Sequence, residues 1–228
     1  MNKEFKDTSQ DYLITRILPV IINHPAPIVI DVGANDGKNL SNSYGFLDIG
    51  WKAILVEPNP ITMNKAKELW KNNSNVLFYD MALSNYKGKT KLFADTEGFE
   101  GPSFSSTIDT HSNEWSDTTI DRSKHIEVDV DILSNMLNKV ENFPINFALL
   151  SIDTEGQDYE VLQGLSHYRP SMILTERSMW NLDKAAKKQQ LLIGYGYISA
   201  YHIGCNEIYV NSNCEFIRSK TKELSHLY

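Results

Sequence analysis

The sequence predicts an α/β domain with a mostly parallel central sheet, helices on both faces and an antiparallel hairpin near the C-terminus. Three observations carry that prediction. Short apolar, β-branched runs alternate with stretches of helical periodicity, the pattern of strand–helix–strand units. The first run, Ile28 to Val32, passes straight into a small polar turn, Gly33-Ala34-Asn35-Asp36-Gly37. Four of the runs end in an acid: Asp31, Glu57, Asp153 and Glu176. In an open parallel sheet, ligands bind beyond the carboxyl ends of the strands, so acids there read as a site.

The elements follow in order. Residues 1–10 are a polar lead-in and show no secretory pattern. Tyr12 to Ile22 has apolar residues at helical spacing, with Pro19 expected to kink or split the helix. Pro25 and Pro27 close it and release the first strand. Residues 1–27 thus form a helical lead-in to a domain spanning 28–210, and 211–228 a polar tail. Ile28 to Val32 reads as a strand buried on both faces. Gly33 and Gly37 allow a sharp turn and close approach of a ligand to the backbone. Lys38 to Ile49 is expected to be helical, its N-terminus offering unpaired N–H groups to the site.

The next strand, Ala53 to Val56, ends at Glu57; a strand-end acid about 20 residues past the turn is where a ribose diol is gripped. Ile61 to Asn72 is expected to be a helix and Asn75 to Tyr79 a strand, leading into Asp80-Met81-Ala82, placed for an adenine. Thr90 to Ala94 and Ile126 to Val130 read as strands flanking a long stretch, 95–125, rich in Ser, Thr, Asp and Gly, expected to order around ligands. Asp131 is expected to cap a helix through Glu141. Phe147 to Ile152 is a buried strand ending at Asp153, and Glu155-Gly156 opens a helix through Leu165. Ser171 to Thr175 ends at Glu176. Asn181 caps a helix through Ile193, and Tyr197–Tyr201 and Asn206–Val210 form the closing strand pair around His202.

The turn after the first strand departs from the dinucleotide pattern G-x-G-x-x-G. It reads Asp31-x-Gly33-x-Asn35-x-Gly37. A carboxylate there repels a pyrophosphate but suits the ammonium and sulfonium of S-adenosylmethionine. Asp153 and Glu176, on neighbouring strands about 4.8 Å apart, are expected to face one site. Crowding raises the pKa of one of them, as a general base requires; the same pair could instead hold a divalent cation, magnesium or manganese. Glu155 and His202 are further candidates for catalysis, and Asp158 reads as an acid stabilised by a helix dipole.

The run from Val29 to Pro58, Ala82-Leu83-Ser84 and Ser151-Ile152-Asp153-Thr154-Glu155-Gly156 resemble the FkbM family of S-adenosylmethionine-dependent O-methyltransferases. The resemblance implies a Rossmann-like class I methyltransferase fold and an antiparallel insertion after Ser84. The residues themselves point to cofactor contacts from Asp31, Gly33, Asn35, Gly37, Glu57, Asp80, Met81 and Ala82, and to catalysis by Asp153, Glu176 and His202; the resemblance adds Glu155. Ser103, Ser105 and Ser106 are similar to a serine pair of the family. The expected acceptor is a hydroxyl of a sugar, a nucleotide-linked sugar or another small polyhydroxylated metabolite.

Composition narrows the alternatives. A formal net charge of −7 argues against a nucleic-acid partner. No apolar run approaches the length of a membrane span, so no membrane partner is expected. Cys205 and Cys214 lack metal-site spacing and read as free thiols of a reducing compartment, hence a cytoplasmic protein. A nicotinamide-dependent oxidoreductase and a non-catalytic cofactor-binding scaffold are the competing readings. The missing dinucleotide motif counts against the first, and the retained acids count against the second.

Overall fold

The computed structural model describes residues 13–39, 41–95, 120–177 and 181–220. The stretch 96–119, with Ser103, Ser105 and Ser106, lies outside the described residues.

Seven strands form the main sheet: β1 (Ile28–Val32), β2 (Lys52–Val56), β3 (Val76–Tyr79), β7 (Leu149–Ile152), β8 (Met172–Glu176), β9 (Tyr197–Ile203) and β10 (Asn206–Asn211). Their order is β3-β2-β1-β7-β8-β10-β9. The first five are parallel, and β10 runs antiparallel to both β8 and β9. The chain winds outward from β1 to β3, then returns to lay β7 on the other side of β1. The gap between β1 and β7 is therefore the switch point where such sheets bind ligands.

Alternate residues along the strands face opposite cores. Val29, Ala53, Leu55, Leu149, Met172 and Leu174 pack on one side, while Ile30, Val32, Ile54, Val56, Leu150, Ile152 and Ile173 pack on the other. Both faces are covered, which is why the strands read as unbroken apolar runs.

The helices are α1 (Leu18–Ile21), α2 (Tyr44–Asp48), α3 (Pro60–Leu69), α4 (Leu133–Leu137), α5 (Asp158–Gln163), α6 (Leu182–Gly194) and α7 (Glu215–Ser219). A π-helical turn, Leu13–Ile17, precedes α1, so the leading helix is split at Pro19 as expected. Asn181 caps α6 by accepting from the Lys184 N–H at 3.0 Å.

The insertion is a second sheet of β4 (Ala82–Ser84), β5 (Gly88–Asp95) and β6 (Ile120–Ile132), in the order β4-β6-β5. β4 pairs with β6 in parallel, and β5 with β6 antiparallel. β4, at three residues, is too short for a period to show in the sequence.

Three expectations are corrected. Lys38, Asn39 and residues 41–43 are not helical. Asp36 accepts from the N–H groups of Lys38 and Asn39 at 3.0 and 2.7 Å, and Ser41 and Ser43 turn their hydroxyls to Asp31. Side chains thus supply the partners that helical carbonyls would have offered, and the helix waits until Tyr44. Asp131 is the penultimate residue of β6 rather than a helix cap; its carboxylate accepts from Ile132 N, Asn135 Nδ2 and Lys139 Nζ, and α4 ends at Leu137. The helix after β7 starts at Asp158, because Glu155 and Gly156 both hold positive φ, 52° and 106°.

Candidate active site

The site is built where the loops after β1, β2, β7 and β8 meet. Asp31 is the penultimate residue of β1 and points into a face of the sheet, beside Ser151 of β7. Its Oδ2 accepts from Ser41 Oγ at 2.9 Å, Ser43 Oγ at 2.7 Å and Ser43 N at 3.1 Å. Asn42 Nδ2 donates to Ser151 Oγ at 2.9 Å. Asp31 is 1% exposed. Burial raises its pKa, against the hydrogen bonds from Ser43, Ser41 and Ser151. Asp31 therefore shapes the loop over the switch point from within.

Gly33 has a φ of +88°, and a Cβ on it would stand 1.8 Å from the carbonyl oxygen of Asp153. Contact between the loops after β1 and β7 by itself demands a glycine at this position. Gly37 is similar: with φ +71°, its Cβ would meet Ala66 Cβ at 3.1 Å and Trp70 Nε1 at 3.2 Å. The Trp70 indole also donates to the Gly37 carbonyl at 3.1 Å. Asn35 takes the left-handed conformation, φ 51°, which Asn tolerates better than most side chains. Its N–H is directed at the next acid.

That acid is Glu57, buried just past β2. Its Oε2 accepts from Asn35 N at 3.0 Å and its Oε1 from Asn59 N at 2.8 Å. The Thr62 side chain adds a third hydrogen bond to this carboxylate. Burial outweighs these hydrogen bonds and pushes the Glu57 pKa up to about 7. Asp80 instead forms a surface ion pair with Lys67 at 2.5 Å. Met81 packs against the core, its N–H donating to Tyr79 O, and Ala82 is buried in β4.

On the other side of the switch point, Ile152 of β7 stands opposite Thr175 of β8, so Asp153 and Glu176 lie side by side at the strand ends. Glu155 joins them from the turn. The pKa of Asp153 is raised by burial and then by the charges of Asp158, Glu176, Asp31 and Glu57. Glu155 is raised by burial, then by Asp153, Glu176 and Asp158. Asp31 and Glu57 are felt at Asp153, so the acids of both halves share one electrostatic environment. Among the described residues, no group of three or more His, Cys, Asp or Glu side chains is arranged to hold a metal ion.

His202 is on the edge strand β9, half-exposed, 3.6 Å from Glu207 and 3.4 Å from Ser199 Oγ. β10 separates its strand from β8. The turn residue that reaches the acids is Cys205. Burial, Glu176, Asp153 and Glu155 all push its thiol pKa up, and its carbonyl accepts from Arg177 N at 2.5 Å. Sequence reasoning missed Cys205, since only the hairpin register brings the turn back to Glu176. It also gave Asp158 only a helix-end role, whereas this residue is 4% exposed and ties the ends of β7 and β8 together.

An excess of carboxylates with raised pKa values suits a cationic ligand, and this is the fit that a sulfonium cofactor requires. The comparisons agree. A family model described as the methyltransferase FkbM domain matches residues 31–219. Among curated proteins, none matches the chain. A crystal structure of methyltransferase FkbM from Methylobacillus flagellatus KT aligns with a TM-score of 0.51 at 11% identity, over 81% of this chain and 43% of that one. This chain thus spans less than half the length of that protein. A precorrin-6y C5,15-methyltransferase from Geobacter metallireducens GS-15 aligns with a TM-score of 0.44 at 12% identity, over 85% and 84% of the two chains. Among the described residues, no helix is long and apolar enough to cross a membrane. The family match takes in both halves of the acid-lined switch point, from Asp31 to Glu176, and the protein belongs to the FkbM family of S-adenosylmethionine-dependent methyltransferases.

Proposed function

We propose that the protein transfers the methyl group of S-adenosylmethionine to a hydroxyl oxygen of a sugar, a nucleotide-linked sugar or a similar small polyhydroxylated metabolite. The observation that carries this reading is the pairing of Asp153 with Glu176 at adjacent strand ends, next to Glu57 across the switch point. Glu57 would hold the ribose diol alongside its bonds from Asn35 N, Asn59 N and the Thr62 hydroxyl. The loop from Gly33 to Asn35 would underlie the methionine end, and Met81 and Ala82 would flank the adenine. When bound, the cofactor supplies an electrophilic methyl carbon on a good leaving group.

The chain's part is to align the acceptor and take its proton. Asp153 is the base: it accepts the hydroxyl proton as the oxygen forms its bond to carbon. A raised pKa keeps that carboxyl protonated in the free protein near neutral pH. A cationic ligand beside it favours the carboxylate, so the base is generated when the donor arrives. Glu155 and Glu176 offer further acceptor oxygens to a substrate with several hydroxyls.

The test is transfer of label from methyl-tritiated S-adenosylmethionine to a panel of nucleotide sugars and free glycans. The reading expects a labelled methyl ether. Label found on nitrogen, sulfur or carbon of another acceptor class would overturn it.

A further inference from the structure

The β7–β8 ladder stops at Ile152 and Thr175, one residue short of the acids it presents. Asp153 is held to β1 through its N–H to Val32 O, and Glu176 to β10 opposite Asn206, yet the β7–β8 ladder does not reach the pair, and a base and its neighbour must be held to within about half an ångström. A side chain ties the two segments to each other.

Asp158, in the first turn of α5, is placed to do so. Its Oδ1 accepts from Thr154 N at 3.2 Å and Thr154 Oγ1 at 2.6 Å. Its Oδ2 accepts from Thr175 Oγ1 at 2.6 Å and Glu176 N at 2.9 Å. One carboxylate oxygen thus holds the residue after Asp153, and the other holds Glu176 and the residue before it. A carboxylate has about four acceptor positions, and all are engaged. Asp158 has nothing left with which to take a substrate proton.

Helix α6 braces the same two segments from beneath. The buried Lys188 hydrogen-bonds through Nζ to the carbonyl oxygen of Glu176 and lies 3.4 Å from Thr175 Oγ1. Lys184 Nζ donates to the carbonyl oxygen of Gly156 and pairs with Glu160 at 2.9 Å.

We infer that Asp158 is the positioning residue of the active site, clamping the Asp153–Glu155 turn to Glu176 beyond the end of the β-ladder. The inference rests on the reading of those acids as the acceptor end of the site. After burial, the charge of Asp158 is also the strongest of those that raise the Asp153 pKa, ahead of Glu176, Asp31 and Glu57. The clamp therefore sets both where the base stands and when it ionises.

The test uses Asp158→Ala and Asp158→Asn in the full chain, with two readouts that need no acceptor. Amide hydrogen exchange at Thr154 and Glu176 reports the clamp. Carbon-13 titration of the Asp153 carboxyl reports its ionisation. In Asp158→Ala both amides should exchange roughly tenfold faster or more, the scale of a lost hydrogen bond to a charged group. In Asp158→Asn the amide oxygen can serve one of the two N–H groups, so one amide should keep its protection and the other lose it. The Asp153 midpoint should fall in Asp158→Asn, because a neighbouring negative charge is gone. Unchanged exchange at both amides together with an unmoved Asp153 midpoint in Asp158→Asn would overturn the inference, and this variant decides if Asp158→Ala fails to fold. Failure of the unaltered protein to bind S-adenosylmethionine would refute the functional reading instead, and the exchange and titration results would still decide the clamp.

Discussion

Replacing Glu57 by Gln separates the charge of this side chain from its shape. The side chain is 6% exposed, and its two oxygens accept from Asn35 N and Asn59 N. Gln retains one of those bonds and loses the charge that a ribose diol would meet. A lost hydrogen bond to a charged group costs roughly 1.5–3 kcal/mol, which is about 10- to 150-fold in cofactor affinity. The pH dependence gives a sharper signature. With a Glu57 pKa of about 7 in the free protein, and the ionised form required for binding, affinity should fall ~30-fold between about pH 8 and about pH 5.5 from this group alone. At about pH 6 the group is ~90% protonated, so binding should release close to one proton through it.

Calorimetry in buffers of differing ionisation enthalpy counts those protons. Glu57→Gln should bind more weakly and release about one proton fewer. Folding carries the same signature. Glu57 titrates at 4.5 unfolded and about 7 folded, so its stabilising contribution is full below about pH 4.5 and is lost as pH rises through about 7. That is on the order of 3 kcal/mol of pH-dependent stability, absent in the Gln variant. An unaltered affinity with an unaltered proton count in a folded Glu57→Gln protein would refute the reasoning.

Two further predictions concern the two sides of the switch point. Gly33→Ala combines a positive φ with a methyl group driven into the Asp153 carbonyl, and should destabilise the fold by roughly 2–5 kcal/mol. Gly37→Ala meets only side-chain atoms at 3.1–3.4 Å and should lose less; thermal unfolding that ranks the two in the opposite order would contradict the loop-contact account. Asp153→Asn should leave the affinity for S-adenosylhomocysteine, which carries no sulfonium charge, nearly intact and slow methyl transfer ~10²-fold or more, because Asn keeps the shape but accepts no proton. Full activity in that variant would remove Asp153 as the base. The rate of the unaltered enzyme should fall as pH drops through the shared pKa of the cluster, and chelator should not change it.

Much of the site was legible because its signal is local. An apolar run such as Ile28–Val32 can satisfy its backbone only in a covered sheet, and an acid at its end has few structural reasons to be there. The register that sets Asp153 beside Glu176 follows from two such runs pairing in parallel. What escaped is set by contacts between distant residues. Gly33 looked like room for a ligand, and only the fold shows that the Asp153 carbonyl lies against it. The segment after Gly37 had a plausible helical composition, but Asp36 and Asp31 draw its N–H and hydroxyl groups into other bonds. Asp158 resembled any acid in a first helical turn; its four donors come from two other segments. His202 and Cys205 are close in sequence, yet the hairpin turn brings only the cysteine near the strand-end acids.

The central claim is that converging strand-end acids make the switch point a site for a cationic cofactor. The most direct measurement is a calorimetric titration of the protein with S-adenosylmethionine, S-adenosylhomocysteine and NAD under one set of conditions. The account predicts that the first two bind at a single site, that S-adenosylmethionine displaces the larger number of protons because only it carries the sulfonium charge, and that NAD produces no heat of binding. Binding of NAD with none of S-adenosylmethionine would contradict it.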